Sequence, residues 1–362
     1  MHWLVLAILG AQAAVLIWNL IYWKRRRLSV TEMRTRLSVL IPVRNEVENL
    51  PVLLAALRRQ SSPADEIIVC DDGSDDGTDT WLEKNAAEYS FRWFRADPKP
   101  DGWFGKSWAC QSLAQRAMGD WLLFLDADLE PSPEFLGTLS AVLPGTSATL
   151  VTAFQRQRPT TVADGLLQAM VPFSVFTTLP LRLAERHRHP AFAFAHGQVI
   201  AFRRDDYARL QPHKHVRDRV LEDVALARLV KRDNGQVLIL DATRLLSARM
   251  YKGLRDAVDG FSKNAVSICG NRIYSAAAIA ALLILLYLMP LIVLPTGAWW
   301  SWLAVLLAAC LFATSCWMVR LPIWYGPLYP LAILLAEWVI WRSIIWHWRG
   351  SLRWKGRLYP IR

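Results

Sequence analysis

The sequence predicts an α/β fold, a mostly parallel sheet flanked by helices, with apolar spans toward both ends of the chain. Apolar, β-rich runs alternate with stretches whose apolar residues recur at helical spacing, which is the pattern of a parallel sheet with crossover helices. Polar side chains gather where those runs end, at Arg44, Asn45, Glu46, Asp71, Asp72, Asp126 and Asp128. Ligands of open α/β sheets bind beyond the carboxyl ends of the strands. Composition supplies the spans: the 362 residues are 53% hydrophobic and include 18 Trp, too apolar for a wholly soluble chain.

The first element is an anchor over residues 1–23, "HWLVLAILGAQAAVLIWNLIYW", long enough to cross a hydrocarbon core of about 30 Å. Lys24, Arg25, Arg26 and Arg27 follow at once, which puts the next segment in the cytoplasm. "AQA" at Ala11–Ala13 resembles a signal-peptidase site, but no Lys or Arg precedes the apolar run and the run continues past it. A catalytic domain facing the cytoplasm is expected over 36–265. There "LSVLIPVRNE" is a strand broken by Pro42, and "ENLPVLLAALRRQ" is an amphipathic helix. "DEIIVCDDGSDDGTDTWLEKNAAEY" is strand, loop and helix start, and "AQRAMGDWLLFLDADLEP" is helix then strand. The stretch Gly165 to Arg186, interrupted by Pro172 and Pro180, is either an interfacial segment or plain core.

Transmembrane or interfacial helices are expected over 275–348 and a basic tail over 349–362. Ser275 to Pro295 and Trp299 to Val319 are of spanning length, while "LYPLAILLAEWVIWRSIIWHW" carries Glu337 and Arg342. A third full span would leave the basic tail outside, against the positive-inside rule, so the number of spans stays open at this point. The net charge of +11 sits near apolar segments, which favours an anionic lipid surface over a nucleic-acid partner. Five scattered cysteines with no metal-ligand spacing fit a reducing compartment. The chain is therefore expected at the cell membrane, as a multi-pass protein.

Three stretches carry chemistry. "CDDGSDDGT" and "LDADL" end two strands and together bring four or more acids toward one crevice, a site that repels itself without a cation. A hard divalent ion, Mg²⁺ or Mn²⁺, held by one or two carboxylates and by substrate phosphate is the expected solution. The alternative for the first stretch is a solvated turn with an Asp cap for the following helix. "PDGWFGKSWAC" presents Lys106 at a helix start, where an ammonium and backbone N–H groups suit a diphosphate; the alternative is a mobile surface turn. It lacks the GxxxxGK[ST] frame of a Walker loop. "RDRVLEDVALARLVKRDNGQV" opens a helix on Glu222 and Asp223, acids that serve the helix dipole or take a proton from an acceptor hydroxyl.

"LIPVRNE", "VCDDGSDDGT", "FLDADLEP" and "LEDVALARLVKRDNG", in that order, resemble the inverting nucleotide-sugar glycosyltransferases of family 2, which have the GT-A fold, over about Leu37 to Asn264. "GWFGKSWAC", "HGQVIAFRRDDY", "RMYKGLRDAVDGFSKN" and "WKGRLYP" are similar to membrane-bound carotenoid-glycosylating (diaponeurosporenoate) and hopanoid-associated members.

The resemblance implies a nucleotide-sugar donor, with UDP-sugar favoured, and a membrane lipid acceptor. It implies that Pro42 and Glu46 shape the nucleoside pocket, that Asp72 with Asp71 contacts the nucleoside, and that Asp126 and Asp128 are the DxD pair with Asp128 the direct metal ligand. Asp223 matches the catalytic base, supported by Glu222. Arg249, Tyr251 and Lys263 fall near the diphosphate or acceptor, and Gly197, Gln198 and His213 on the acceptor side. Relatives often read "GGH" before that loop, whereas Gln211 and Pro212 precede His213 here. The implied mechanism is one in-line displacement with inversion. A processive polysaccharide synthase of the same fold would carry a QxxRW signature after the ED helix, and none is present. A noncatalytic membrane scaffold would have no need to keep every one of these acids.

Overall fold

The computed structural model describes residues 2–25 and 34–350, with the backbone alone of 352–354 and 357–359. Arg26 and Arg27 of the basic flank, and Lys355, Gly356 and Pro360 of "WKGRLYP", lie outside the described residues. The chain divides into two compact units, interleaved in sequence. Residues 26–156 and 182–248 form one, and residues 1–25, 157–181 and 249–362 form the other. Residues 157–181 and 249–265, inside the 36–265 expected for the catalytic domain, thus cluster with the helices.

The first unit is the α/β body. Its strands are β1 (Leu37–Val43), β2 (Glu66–Asp71), β3 (Arg92–Arg95), β4 (Trp121–Leu125), β5 (Leu129–Pro131), β6 (Leu150–Phe154), β7 (Val199–Arg203), β8 (Val237–Asp241) and β9 (Leu246–Ala248). Seven of them make the main sheet in the order β3-β2-β1-β4-β7-β6-β8. β1 is parallel to β2 and β4, and β6 is parallel to β8. β7 runs antiparallel between β4 and β6. Helices Leu50–Arg58, Thr78–Asn85 and Gly105–Arg116 are the crossovers. Because the central strands are covered on both faces they are apolar at most positions rather than at alternate ones, whereas β3 at the edge keeps an exposed arginine at each end. Val39, Ile41, Leu123, Leu125, Val151, Val199 and Ala201 pack into one core, and Leu40, Ile68, Phe124, Ile200 and Phe202 are buried as well.

Pro42 stands in a central strand, where a missing N–H normally breaks a ladder. It does no harm here. The Val43 carbonyl accepts from the Asp72 N–H at 2.9 Å, so Val43 faces β2 and Pro42 faces β4. Pairing with β4 already stopped at Leu40. Gly119, just before β4, lets its N–H reach Ser38 Oγ at 2.8 Å. A Cβ there would lie 2.6 Å from the Ser38 nitrogen. β5 pairs with β9 in a small separate sheet that follows the DxD segment.

The second unit is helical. Among the described residues four helices are long and apolar enough to cross a membrane: His2–Arg25, Ile273–Thr296, Trp299–Met318 and Ile323–Trp348. The last, whose crossing the sequence left open, is one of the four by length and composition alone. Ile17, Trp18, Leu306 and Trp338 on these helices are each at least 50% exposed, an apolar exterior that suits lipid. Gly165 to Arg186, expected as broken, is one helix over Val162–Thr178 with Pro172 inside it, followed by a short helix over Leu181–Arg186. Asn19, buried in an otherwise apolar span, donates to the carbonyls of Phe176 and Leu179, both at 2.9 Å. Its Oδ1 accepts from Leu181 N–H at 2.8 Å, so one side chain satisfies three backbone groups at the end of Val162–Thr178. Arg342 pairs with Asp259 of helix Leu254–Ile268, and Glu337 accepts from Trp341 at 3.1 Å. Leu352–Trp354 and Arg357–Tyr359 pair as an antiparallel hairpin.

Candidate active site

The three strand ends that the sequence marked as chemical open at the same edge of the α/β body. Arg44 to Glu46 follow β1, Asp71 and Asp72 close β2, and Asp126 follows β4 with Asp128 two residues on. The fourth group comes from β7: being antiparallel to β4, it begins where β4 ends, with Val199 opposite Leu125.

The loops after β1 and β2 are laced together. Asp71 is buried and accepts from Ser74 N–H at 3.1 Å. Asn45, at a left-handed φ of 55°, donates from its N–H to Ser74 Oγ and from its amide to Asp75. Asp76 accepts from Val47 N–H and from Thr78 N–H at the start of Thr78–Asn85. Asp76 therefore serves the N–H of Thr78, the helix-start role that was the alternative for this stretch. Among the described residues no group of three or more His, Cys, Asp or Glu is placed to hold a metal. Asp72 remains at the mouth of the loop, mostly buried, with Glu46 nearby in sequence order accepting from Asn49.

The charged centre is made by Lys106, Asp126, Asp128, Glu222 and Asp223. Lys106 lies in the first turn of Gly105–Arg116, where the helix dipole disfavours a cation. Two carboxylates compensate: its ammonium is 2.8 Å from Asp126 Oδ1 and 3.1 Å from Glu222 Oε1. Burial works against the lysine's charge, yet Asp126 and Glu222 outweigh it and hold its pKa well above the usual value. The turn before it is pinned, since Phe104 N–H donates to the Arg217 carbonyl at 2.6 Å and Trp108 Nε1 to the Asp97 carbonyl at 2.9 Å. Glu222 and Asp223 open the helix Glu222–Arg232, whose Leu226 and Val230 are buried while Val224 and Leu229 are half-buried.

Asp128 accepts from Gln198 Nε2 at 2.6 Å on one oxygen, while its Oδ1 is buried without a partner. Burial, and next the Asp126 carboxylate, push its pKa up to about 7. A buried carboxylate oxygen left orphaned asks for a cation. Asp128 through that oxygen and Asp126 fit a divalent ion whose remaining ligands are oxygens of substrate and water. Asp223 takes the N–H of Val224 at 2.7 Å and of Gly197 at 3.0 Å. Burial and Glu222 raise its pKa to about 6, with those two N–H groups and Lys106 opposing.

Gln198 and Gly197, expected on the acceptor side, thus touch Asp128 and Asp223. His213 is 3% exposed, hydrogen-bonds with the Tyr207 hydroxyl at 2.8 Å and packs against Phe124 with the rings tilted by 60°. Burial pushes it down to about 3, so it is neutral. Gln211 reaches φ 42°, the left-handed region that the two glycines of relatives allow without strain. Arg249, Tyr251 and Lys263 lie in the helical unit, where Tyr251 is buried against Gly260 and Phe261. Sequence reasoning missed Gln198 as the partner of Asp128 and Gln155 as the partner of Gln198, because an isolated buried Gln carries no local signal.

Residues 38–210 match the profile "Glycosyl transferase family 2". That match takes in a little less than half of the chain. The chain is 28% identical over 260 residues to the 4,4'-diaponeurosporenoate glycosyltransferase of Staphylococcus haemolyticus (strain JCSC1435), covering 68% of this chain and 66% of that one. It is 27% identical over 247 residues to the enzyme of the same name from Staphylococcus aureus (strain USA300), covering 63% and 60%. The chain therefore spans less than two thirds of the length of either relative. Among solved structures it is similar to the mannosyltransferase PcManGT from Pyrobaculum calidifontis in complex with GDP-Man and Mn²⁺, with a TM-score of 0.58 and 18% identity over 96% of this chain and 98% of that one. The fold is GT-A, as the motifs led one to expect.

Proposed function

We propose that the protein is a membrane-bound, inverting glycosyltransferase that moves one sugar from a nucleoside-diphosphate sugar to a lipid acceptor. The observation that carries this is the buried, partnerless Asp128 Oδ1 beside a base of raised pKa, Asp223, which is what a cation-assisted displacement needs. Relatives named for a carotenoid acid acceptor, and four helices long and apolar enough to cross a membrane, support a lipid over a soluble acceptor.

In this proposal Pro42, Glu46, Asp71 and Asp72 form the nucleoside side, and UDP is the favoured nucleotide. Asp223, ionised, takes the proton from an acceptor hydroxyl as that oxygen attacks the anomeric carbon, while the neighbouring Glu222 holds Lys106. Lys106 supplies positive charge to the departing diphosphate. A divalent ion, Mg²⁺ or Mn²⁺, held by Asp128 and Asp126 would neutralise that diphosphate and favour its departure. The anchor 1–23 and the helices within 275–348 hold the catalytic unit at the cytoplasmic face, with the basic residues against anionic lipid.

The test is incubation of membranes containing the protein with a panel of labelled nucleotide sugars, followed by lipid extraction and product mass. A glycolipid one sugar heavier than its acceptor, absent with Asp128→Ala, is expected. Release of polymer, or no label in lipid with any donor, would sink the proposal.

A further inference from the structure

We propose that the tripeptide His196–Gly197–Gln198 is a clamp that sets the cation-facing oxygen of Asp128 and the position of the base Asp223, making Gln198, Gln155 and Gly197 positioning residues for sugar transfer. The inference rests on the site assignment above and deepens it. A carboxylate has two equivalent oxygens and a soft terminal torsion, so it presents a defined lone pair only when one oxygen is held. For Asp128 that hold is the Gln198 amide at 2.6 Å, which leaves Oδ1 to the cation.

The Gln198 amide is oriented in turn. Its Oε1 accepts from Gln155 Nε2, which forces its own N–H groups toward Asp128. Gln155 Nε2 also lies 3.3 Å from His196 Nδ1. Burial pushes His196 down to about 4, so the ring is neutral and that nitrogen is able to accept. The backbone is fixed on both sides. His196 N–H donates to Thr152 Oγ1 at 2.8 Å, and the Gln198 carbonyl accepts from Asp126 N–H at 3.1 Å.

Gly197 completes the clamp. Its N–H reaches Asp223 Oδ2 at 3.0 Å, and a Cβ on it would stand 3.1 Å from that same oxygen. One tripeptide therefore holds the backbone of the first DxD acid, the side chain of the second and the base. The antiparallel run of β7 is what delivers it, because the start of that strand meets the end of β4.

The experiment uses the purified full-length protein in detergent and measures Mn²⁺ binding by electron paramagnetic resonance with GDP or UDP present, alongside thermal unfolding and turnover. Gln198→Met keeps the volume and removes the donor. It should unfold like the parent yet bind Mn²⁺ about 10–100-fold more weakly, the usual effect of losing a group that orients a metal ligand. Gly197→Ala should bind Mn²⁺ like the parent but lose kcat at unchanged KM for the donor. A folded Gln198→Met with parental Mn²⁺ affinity overturns the clamp. Should that variant not fold, Gln155→Met decides by the same measurement, with a weaker loss expected and parental affinity again overturning. A parent that binds no Mn²⁺ with either nucleotide sinks the site assignment itself, and the clamp with it.

Discussion

Asp223 is half-buried and is given two backbone N–H groups, yet burial and Glu222 outweigh them and it ionises only above about pH 6. The sign follows directly. A base with a raised pKa is lost as pH falls, so kcat/KM should drop about tenfold per pH unit below that value. Asp223→Asn should reduce transfer to a hydroxyl acceptor by about 10²–10⁴-fold and abolish that acid limb, with donor binding retained. A carboxylate acceptor, already ionised, would show neither effect, so one pH profile with each protein separates the two acceptor chemistries. Lys106 makes a second prediction. Its ammonium rests on Asp126, where a divalent ion would also sit, so Lys106→Met should tighten Mn²⁺ binding in the absence of nucleotide while slowing transfer. Calorimetric titration with and without nucleoside diphosphate reads both halves. The positions of these acids were legible in the sequence because they interrupt apolar strands. Their division of labour was not: whether Asp71, Asp75 or Asp76 faces solvent, a helix N–H or Asn45 depends on a loop 30 residues away.

At the level of elements, alternation of apolar runs and helical periodicities was enough to find β1, β2, β4 and the helix that opens on Glu222. It could not give the direction of β7. A buried strand reads the same forwards and backwards, since both faces are covered and no period marks its polarity. Yet that direction is what brings Gly197 and Gln198 to the acids. Tight contacts between elements are similarly silent in sequence. Gly119→Ala would drive a methyl against the backbone nitrogen of Ser38, and should lower stability by about 1–3 kcal/mol, read as a lower thermal midpoint with the site chemistry unaffected.

For the whole molecule, composition announced an apolar, basic chain and the structure distributes that character over four candidate spans. The protein is expected to stay with membranes through a high-pH carbonate wash and to need detergent for release, whereas a chain held only by charge would be washed off by salt. The interleaving of the two units was not legible, because residues 157–181 carry Pro172, Asp164 and Gln168 and look like ordinary domain sequence. Their membership is set by partners, and the first of these is Asn19. During synthesis the N-terminal span leaves the ribosome long before its partner exists: Phe176, whose carbonyl Asn19 caps, lies 157 residues further on. Until then the Asn19 carboxamide has nothing from Val162–Thr178 to meet it, a state that disfavours premature, stable packing of the N-terminal helix. Assembly of the helical unit therefore waits on translation through residue 181, so that the intervening residues 26–156 are complete before the anchor is locked.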